Sequence, residues 1–405
     1  MKPLLISVGV LVSGGVARAI SGDWSLAVMA AVIALCAWGL WWELPKWQAT
    51  KATDQDLKLK AKPEIENDFR VTVSQLLGGA ALLIGAAFAY VQFTTQRQQF
   101  EEQQKAARDL LISNQVAKGF ELLGNKDNQI QQQLGGIYAL EGVMNTSKEY
   151  YQPVLEALCA FVRDKTKADK KETREGPPAS DVQAALTVIG RRAAAPAGQR
   201  QRIYLSGARI PEAVLLHAKL SDMYLDHAVL TGAWMNHADL STTELVGDDL
   251  SHAHLGDATL SGANLEDANL SDANLEGANL HKSYLHNANL ISAHLSSAAL
   301  SGANLEDANL EDANLTGANL SDAHLNDATL TKADLIGANL NNTTLTKADL
   351  SGANLRGTTL TKADLSGANL STVVSQRQLD QACGTGAKLD PGLTLKPCPT
   401  PKGSQ

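Results

Sequence analysis

The sequence predicts a β-solenoid that follows a membrane anchor and a small bundle of helices. Three observations lead to this prediction. Two runs near the N-terminus are long and uncharged enough to cross a bilayer, apolar residues in the middle recur at helical spacing, and residues 201–370 repeat with a period of five. A period of five matches neither the 3.6-residue turn of an α-helix nor the two-residue alternation of a strand.

Residues 1–93 are predicted to form the membrane anchor, with the lipid bilayer as a partner. Residues 24–42 and 71–93 contain no charged side chain. Each run is long enough to cross a hydrocarbon core of ~30 Å at ~1.5 Å per residue. Tryptophans cluster at the ends of the first run, where amphipathic rings prefer the membrane interface. In the second run, a seam of small residues, from Ala81 through Gly85 to Ala89, is suited to close helix packing.

Residues 4–20 leave two alternatives open. They form either a third, short span with Arg18 near its end, or a secretory signal peptide with Lys2 in its basic region. We favour the uncleaved span. The positive-inside rule does not decide the orientation, because three spans place the repeats outside whereas two spans give nearly equal counts of Lys and Arg. We expect the bacterial inner membrane, with a cytoplasmic location of the repeats narrowly favoured.

Residues 94–163 are predicted to be a helical region. Apolar residues at helical spacing define a first helix that ends at Gly124 and a second over 130–144. A capping box at 146–149 predicts the start of a third helix, and short links between amphipathic helices predict a bundle. Glu141 and Glu156 are expected to be lone acids on solvated helix faces.

Residues 164–200 are predicted to be a linker with one short helix. The linker is rich in charge and ends in two prolines. A second capping box, from Ser180 to Gln183, predicts a helix that continues to about Arg192.

The repeats begin at about residue 201. Every fifth residue from 205 to 370 is Leu, except Ile210 and Met235, and the residue two places earlier is Ala in most units. We therefore expect a large and a small side chain to point inward in every five, with the other three facing water. Backbone groups must then bond between stacked coils, since a buried backbone needs partners. Each coil buries its apolar residues only against its neighbours, as in a solenoid.

This pattern closely resembles the pentapeptide-repeat family, whose motif is A-(D/N)-L-x-x and which residues 261–265 and 361–365 match in full. The resemblance covers about 40% of the chain. It implies a right-handed quadrilateral β-helix with four pentapeptides per coil, so that the 34 units form 8.5 coils. At ~4.8 Å per coil the rod is ~41 Å long. Residues 371–405 are expected to cap its open end, through a capping box from Ser375 to Gln378 and apolar cover from Val373, Val374 and Leu379.

The helical region also resembles a subgroup of bacterial membrane proteins in that family. The matching segments are 134–141 and 158–163. This chain has Gln133 and Gly142 where the subgroup usually has Arg. The resemblance therefore implies architecture, and it assigns no activity.

Acidic side chains define the candidate site. Residues 201–375 contain 21 Asp and Glu against 8 Lys and Arg, a net charge of −13 within a chain of net charge −8. With four pentapeptides per coil, residues twenty apart stack, and seven carboxylates fall on two neighbouring corners in the middle of the rod. We call these residues the acidic belt and predict that they bind a partner: Glu266, Asp267, Asp272, Glu306, Asp307, Glu311 and Asp312.

Other chemistry is sparse. His217 and His237 are twenty apart and are predicted to stack at roughly 5 Å. A metal pair is conceivable there because imidazole is a common ligand, but we interpret both as exposed side chains and expect no metal or cofactor. The four cysteines show no metal-type spacing and are expected to be reduced thiols. A convex rod has no pocket that could desolvate paired carboxylates, so no enzyme is predicted.

Two functions are compatible with these features. The first is a membrane-tethered, non-enzymatic scaffold that presents the rod to an unidentified protein partner. The alternative, implied by the family resemblance, is an acidic mimic of DNA that acts on a topoisomerase or another DNA-binding protein. Because the rod has no basic groove, we expect no direct nucleic-acid binding. Because a convex rod has no pocket, we expect no small-molecule substrate.

Overall fold

The computed structural model describes residues 62–124, 129–167, 176–193, 203–371 and 374–399. The chain divides into two compact units, Met1–Arg108 and Asp109–Gln405. The predicted span at 24–42 and the segment 4–20 lie outside the described residues.

A single long helix, α1 (Lys62–Leu123), contains the second predicted span. Within it, Glu66–Leu123 is the one described helix that is long and apolar enough to cross a membrane. The helix ends directly before Gly124, as predicted, and the Gly124 N–H donates to the carbonyl of Phe120 at 2.9 Å.

Three shorter helices follow: α2 (Ile130–Thr146), α3 (Tyr151–Thr166) and α4 (Ser180–Arg191). They pack against one another through fully buried aliphatic side chains, which include Ile137, Leu155 and Ile189. Amphipathic spacing therefore predicted α2 correctly, and α4 matches the helix expected from Ser180 to about Arg192.

Both predicted capping boxes in this region are wrong. The Thr146 hydroxyl donates to the carbonyl of Gly142 at 2.8 Å, so Thr146 closes the last turn of α2, and α3 begins only at Tyr151. In α4 the Gln183 side chain does not return to the helix start. Its amide instead donates to the carbonyl of Val214 at 2.8 Å and accepts from the N–H of Val214 at 3.0 Å.

From residue 203 the chain winds in coils of twenty residues. Parallel bridges join each residue at the middle of a side to the residue twenty further on, as in Asn264 to Tyr284 and Tyr284 to Asn304. This confirms four pentapeptides per coil. Strands of two residues occur only at the ends of the rod, where β1 (Ile203–Tyr204) pairs with β2 (Met223–Tyr224) and β3 (Asn369–Leu370) pairs with β4 (Lys388–Leu389). Between these ends the pairing consists of single bridges. The inward leucines are at most 5% exposed.

Backbone hydrogen bonds explain why the coils stack. The Leu265 N–H donates to the carbonyl of Tyr284 in the next coil at 2.7 Å, and the Asn264 N–H donates to Thr243 in the previous coil at 2.9 Å. Within the coil, the Ala268 N–H donates to the carbonyl of Leu265 at 3.1 Å and closes the corner. Nearly every backbone donor thus has a partner, as a buried backbone requires.

In half of the 34 units, an Asn or Asp before the inward leucine provides one more hydrogen-bond acceptor. The Asn274 side-chain oxygen accepts the N–H of Glu276 at 3.0 Å, and the same bond recurs at other corners. Neighbouring side chains also form ladders, in which the Asn289 amide donates to Asn269 and the Asn269 amide donates to Asp249. The motif therefore favours Asn or Asp at this position, because the side chain satisfies a corner N–H that would otherwise bond to water.

The interior of the rod is filled by the inward leucine and alanine side chains, which are at most 5% exposed. Between α4 and the first coils lies a void of ≈10 Å³, lined by aliphatic side chains and Met235. A space of this size is about the minimum for one water molecule. No ligand fits in this part of the described interior.

Both ends of the rod are covered. At the N-terminal end, the Arg163 guanidinium donates to the carbonyl of Tyr204 at 2.6 Å, and the Lys219 N–H donates to Gly190 at 2.7 Å. At the C-terminal end, helix α5 (Gln376–Leu379) begins with the predicted capping box at Ser375 and buries Leu379 completely. Val374 packs against the same core, whereas Val373 lies outside the described residues.

The expectation of reduced cysteines is wrong for the tail. Cys383 and Cys398 form a disulfide with a Cα–Cα distance of 4.6 Å. Counting three cysteines outside the membrane suggested that they cannot pair evenly, but Cys159 is buried in the helical bundle and remains free. Burial raises the pKa of the Cys159 thiol to about 12, so this cysteine is an inert core residue.

Replacement of Cys398 by Ser is expected to loosen the C-terminal cap. A bond across 15 residues of separation contributes about 3 kcal/mol by restricting the unfolded chain. Hydrogen exchange at Lys388 and Leu389 should therefore become faster by roughly two orders of magnitude. A thiol reductant should produce the same change in the wild-type chain and none in the variant. Equal exchange in all four samples would contradict this role.

Candidate interaction surface

The acidic belt lies on the corners of the rod, as predicted. Each of its residues occupies a two-residue turn between two sides of a coil. Asp267, Asp272, Asp307 and Asp312 take the second turn position, with φ between 55° and 58°. That left-handed conformation is tolerated best by Gly, Asn and Asp, so the turn itself favours an acidic or amide residue there.

The belt consists of two bands. The first band is Glu266, Asp267 and Asp272, and the second band is Glu306, Asp307, Glu311 and Asp312. One coil, residues 283–302, separates Glu266 from Glu306 and contains no Asp, Glu, Lys or Arg. On the two belt corners, this coil presents His286 with Asn287 and Ile291 with Ser292.

Three of the seven belt carboxylates already bind a neighbouring side chain. Glu311 and Asp312 lie 3.2 and 3.6 Å from the Lys332 ammonium, and the hydrogen bond to Glu311 raises the pKa of Lys332. Asp267 accepts from the Asn287 amide at 2.5 Å.

The other four belt carboxylates have no such neighbour. No described side chain bonds the carboxylates of Glu266, Asp272, Glu306 or Asp307. They remain available to a partner.

A shallow depression adjoins the first band. It has a volume of about 340 Å³ and is lined by two acidic residues, Glu244 and Glu266, and two aromatic ones, Tyr284 and His286, together with Gly262, Asn264 and Asn304. Tyr284 is 56% exposed. Carboxylates beside an aromatic ring suit a cationic side chain, which gains both an ion pair and a cation–π contact.

The histidine pair is confirmed as a stack. The rings of His217 and His237 have centroids 4.9 Å apart and planes 6° apart. Parallel rings direct their nitrogen lone pairs side by side, so the two imidazoles do not converge on one ion. Both residues occupy left-handed corner positions, with φ of 54° and 57°.

One cluster of potential metal ligands occurs among the described residues. It comprises Asp364, Cys383 and Cys398, whose ligand atoms lie within 4.8 Å of one another. The two sulfur atoms are bonded to each other. Since a thiolate is the form that binds metal, the disulfide makes this cluster unsuitable as a metal site.

The interpretation of Glu141 as a lone acid is wrong. Its carboxylate accepts two hydrogen bonds of 2.6 Å from the guanidinium of Arg191. Glu156 also has a neighbour, the amide of Gln152 at 2.8 Å. The partners of Glu141 lie fifty residues away, so no local spacing in the sequence signals them.

A buried polar cluster at the helical junction was also missed. Gln133 and Asp181 are 1% and 3% exposed, and the Lys165 ammonium lies 3.4 Å from the Asp181 carboxylate. With its amide oriented to satisfy both neighbours, Gln133 donates to Asp181 at 2.9 Å and accepts from Lys165 at 3.1 Å. The cluster joins α2, α3 and α4, which identifies it as structural.

Asp248 is the one carboxylate at an inward position of the rod. It is 1% exposed and replaces the usual Ala. One oxygen accepts the N–H of Ala228 at 2.9 Å, and the other has no partner among the described residues. Desolvation by burial raises its pKa to about 8, against which the bond from Ala228 acts. Asp248 is therefore mostly protonated at neutral pH and does not add to the charge of the surface.

Comparison with known proteins supports the repeat assignment. A family model described as pentapeptide repeats matches in eight copies, at residues 203–241, 249–287, 268–307, 308–346 and 338–374. No curated protein sequence matches the chain.

Solved structures are similar over the repeats. One is HetL from the cyanobacterium Nostoc, described as a pentapeptide repeat protein involved in the regulation of heterocyst differentiation. It is 33% identical, the alignment covers 47% of this chain and 84% of HetL, and the TM-score is 0.30. Another is QnrB1, described as a plasmid-mediated fluoroquinolone resistance protein; it is 18% identical, with coverages of 47% and 93% and a TM-score of 0.39. A thylakoid-lumen protein of Arabidopsis thaliana is 26% identical, with coverages of 35% and 80% and a TM-score of 0.20.

Replacement of Asp248 by Ala is expected to change how stability depends on pH. Between about pH 4 and pH 8 the folded chain keeps a proton that the unfolded carboxyl has released, so the free energy of unfolding falls as pH rises, by up to about 1.4 kcal/mol per unit. The variant should lose this slope and be more stable than wild type at pH 8. Denaturant melts at several pH values measure it, with exposed Asp272→Ala as the control. Equal slopes in wild type and Asp248→Ala would contradict the assignment.

Proposed function

The chain belongs to the pentapeptide-repeat protein family, and on that premise we propose that it is a non-enzymatic, membrane-tethered scaffold whose rod binds a protein partner. The observation that carries the proposal is the set of unpaired corner carboxylates on a solid rod. The filled interior leaves the outer surface for recognition, and four belt carboxylates on that surface have no bonded neighbour among the described residues.

The chemistry of the belt supports a basic partner. Glu266 lines the depression beside Tyr284, which suits a lysine or arginine side chain. Glu306 and Asp307 lie two coils further along the same corner, about 10 Å away at the ~4.8 Å strand spacing. Two cationic side chains three residues apart in an extended segment span that distance. We therefore propose that the partner presents a basic segment along this corner.

The rival proposal, mimicry of DNA toward a topoisomerase or another DNA-binding protein, rests on the net charge of −13. Duplex DNA carries charge at regular, close intervals along its whole length. In this rod, coil 283–302 carries no charged side chain, and Lys332 neutralises part of the second band. The protein-scaffold proposal accounts better for that uneven distribution.

We further propose that α1 anchors the chain in the bacterial inner membrane, since its apolar segment is long enough to cross a bilayer. The disulfide in the tail is typical of an oxidising compartment. It supports placement of the rod outside the cytoplasm and weighs against the narrowly favoured cytoplasmic location. An enzymatic reporter fused after Gln405 distinguishes the two sides.

Charge reversal on the belt tests the scaffold proposal. The double substitution Glu266→Lys and Glu306→Lys is expected to weaken capture of the partner from solubilised membranes by roughly tenfold or more, about 1.4 kcal/mol. Glu276→Lys is the single-site control, because Glu276 lies in the same coil as Glu266 and Asn274 accepts from its N–H in the same way, but it lies two corners away, outside the belt.

The comparison has one decisive outcome against the proposal. If the belt variant and Glu276→Lys retain the same partners at the same yield, the belt is not the binding surface. Inhibition of a topoisomerase by the wild-type chain, lost in the belt variant only, would instead favour mimicry of DNA.

A further inference from the structure

One face of α1 carries no charge between residues 78 and 107. At about 100° per residue, its members lie within about 60° of the direction of Gly85. The face includes Gly78, Ala81, Gly85, Ala89, Gln92, Gln96, Phe100, Gln103 and Ala107. The four charged residues of this stretch, Arg97, Glu101, Glu102 and Lys105, lie about 100° or more away.

This face has no partner among the described residues. Every side chain from residue 81 to residue 107 is exposed, and Phe100, a large aromatic residue beyond the apolar segment, is 59% exposed. A Cβ atom added at Gly78 or Gly85 would meet no atom within 4 Å. The face extends for about 44 Å along one continuous helix. A surface of this length that combines small, amide and aromatic residues is suited to pairing with another helix.

We propose that this face pairs, in parallel, with the same face of a second copy of the chain. In a two-fold symmetric interface each residue near the axis meets its own copy. A charged residue would then face an identical charge, and this face has none. Glutamine suits self-pairing because its amide offers both a donor and an acceptor.

The spacing along the face agrees with such a pair. From Gly85 through Ala89, Gln92 and Gln96 to Phe100, its members are separated by three or four residues, the spacing of a two-helix seam. In the apolar segment, Gly78 and Gly85 allow the close backbone contact that stabilises helix pairs in lipid.

Beyond the uncharged run at 71–93, the face continues as a row of uncharged side chains, and charged residues lie on both sides of it. Gln103 and Ala107 carry the face onward, and the flanking charges include an ion pair within the helix, with 3.0 Å between Arg97 and Glu101. The pairing does not depend on what the rod binds, and the belt variants leave it unchanged.

Cysteine cross-linking of the full-length chain in its membrane tests the pairing. The background variant replaces Cys36 by Ala, because Cys159 is buried and Cys383 is bonded to Cys398. Gln103→Cys places a thiol on the face, and Gln98→Cys places one about 140° away on the same exposed helix. Mild oxidation should give a band at twice the monomer mass for Gln103→Cys, at least fivefold stronger than for Gln98→Cys.

A second substitution separates pairing from chance collision. Phe100→Glu, added to Gln103→Cys, brings two like charges together and should reduce the dimer band at least fivefold, whereas Gln98→Glu should leave it unchanged. Three results would overturn the proposal: equal bands for the two cysteine positions, a Gln103→Cys product at the monomer mass, or a product whose mass requires a different protein.

Discussion

The stacking of one leucine above another, coil after coil, is the interaction on which the rest of this structure depends. A large inward side chain at every fifth residue, with a small one two places before it, defines a cross-section that repeats after twenty residues. Once the coils are in register, backbone groups bond above and below at about 2.7–3.1 Å, and no helix or long strand is needed. In half of the units an Asn or Asp before the leucine accepts the N–H of the corner that follows.

This constraint determines where function can reside. The inward positions cannot vary without leaving a void or burying a polar group, and Asp248 shows the consequence of such a change in its raised pKa. The outward positions are free of that constraint, so the rod differs along its length only in its corners and sides. The acidic bands and the depression beside Tyr284 are differences of this kind. Both open ends are covered, by α3 and α4 at one end and by the disulfide-bonded tail at the other.

The repeat architecture could be predicted from sequence because its information is local and redundant. The same five-residue rule recurs 34 times, and stacking at twenty follows from it, so the corner positions of Glu266 and Asp312 and the stack of His217 on His237 were all predicted. Contacts between distant, non-repeated residues could not be predicted. The Glu141–Arg191 pair and the Cys383–Cys398 bond depend on how separate segments fold back.

Local motifs also failed where another backbone group binds the same side chain. Thr146 fits a capping box, but the preceding helix continues through it. Gln183 fits another, but the open edge of the first coil at Val214 binds its amide. Thr146 bonds a carbonyl one turn earlier in its own helix, whereas Gln183 bonds a backbone edge that lies 31 residues away in the sequence.

The distance between spin labels along the rod tests the stacked-coil account most directly. Leu216 and Arg356 are both exposed, occupy the same corner and are seven coils apart. Labels at Leu216→Cys and Arg356→Cys, in a chain with Cys36 replaced by Ala, should lie about 34 Å apart at ~4.8 Å per coil. A continuous helix would place the same residues about 210 Å apart, so the absence of any distance below 60 Å would contradict the account.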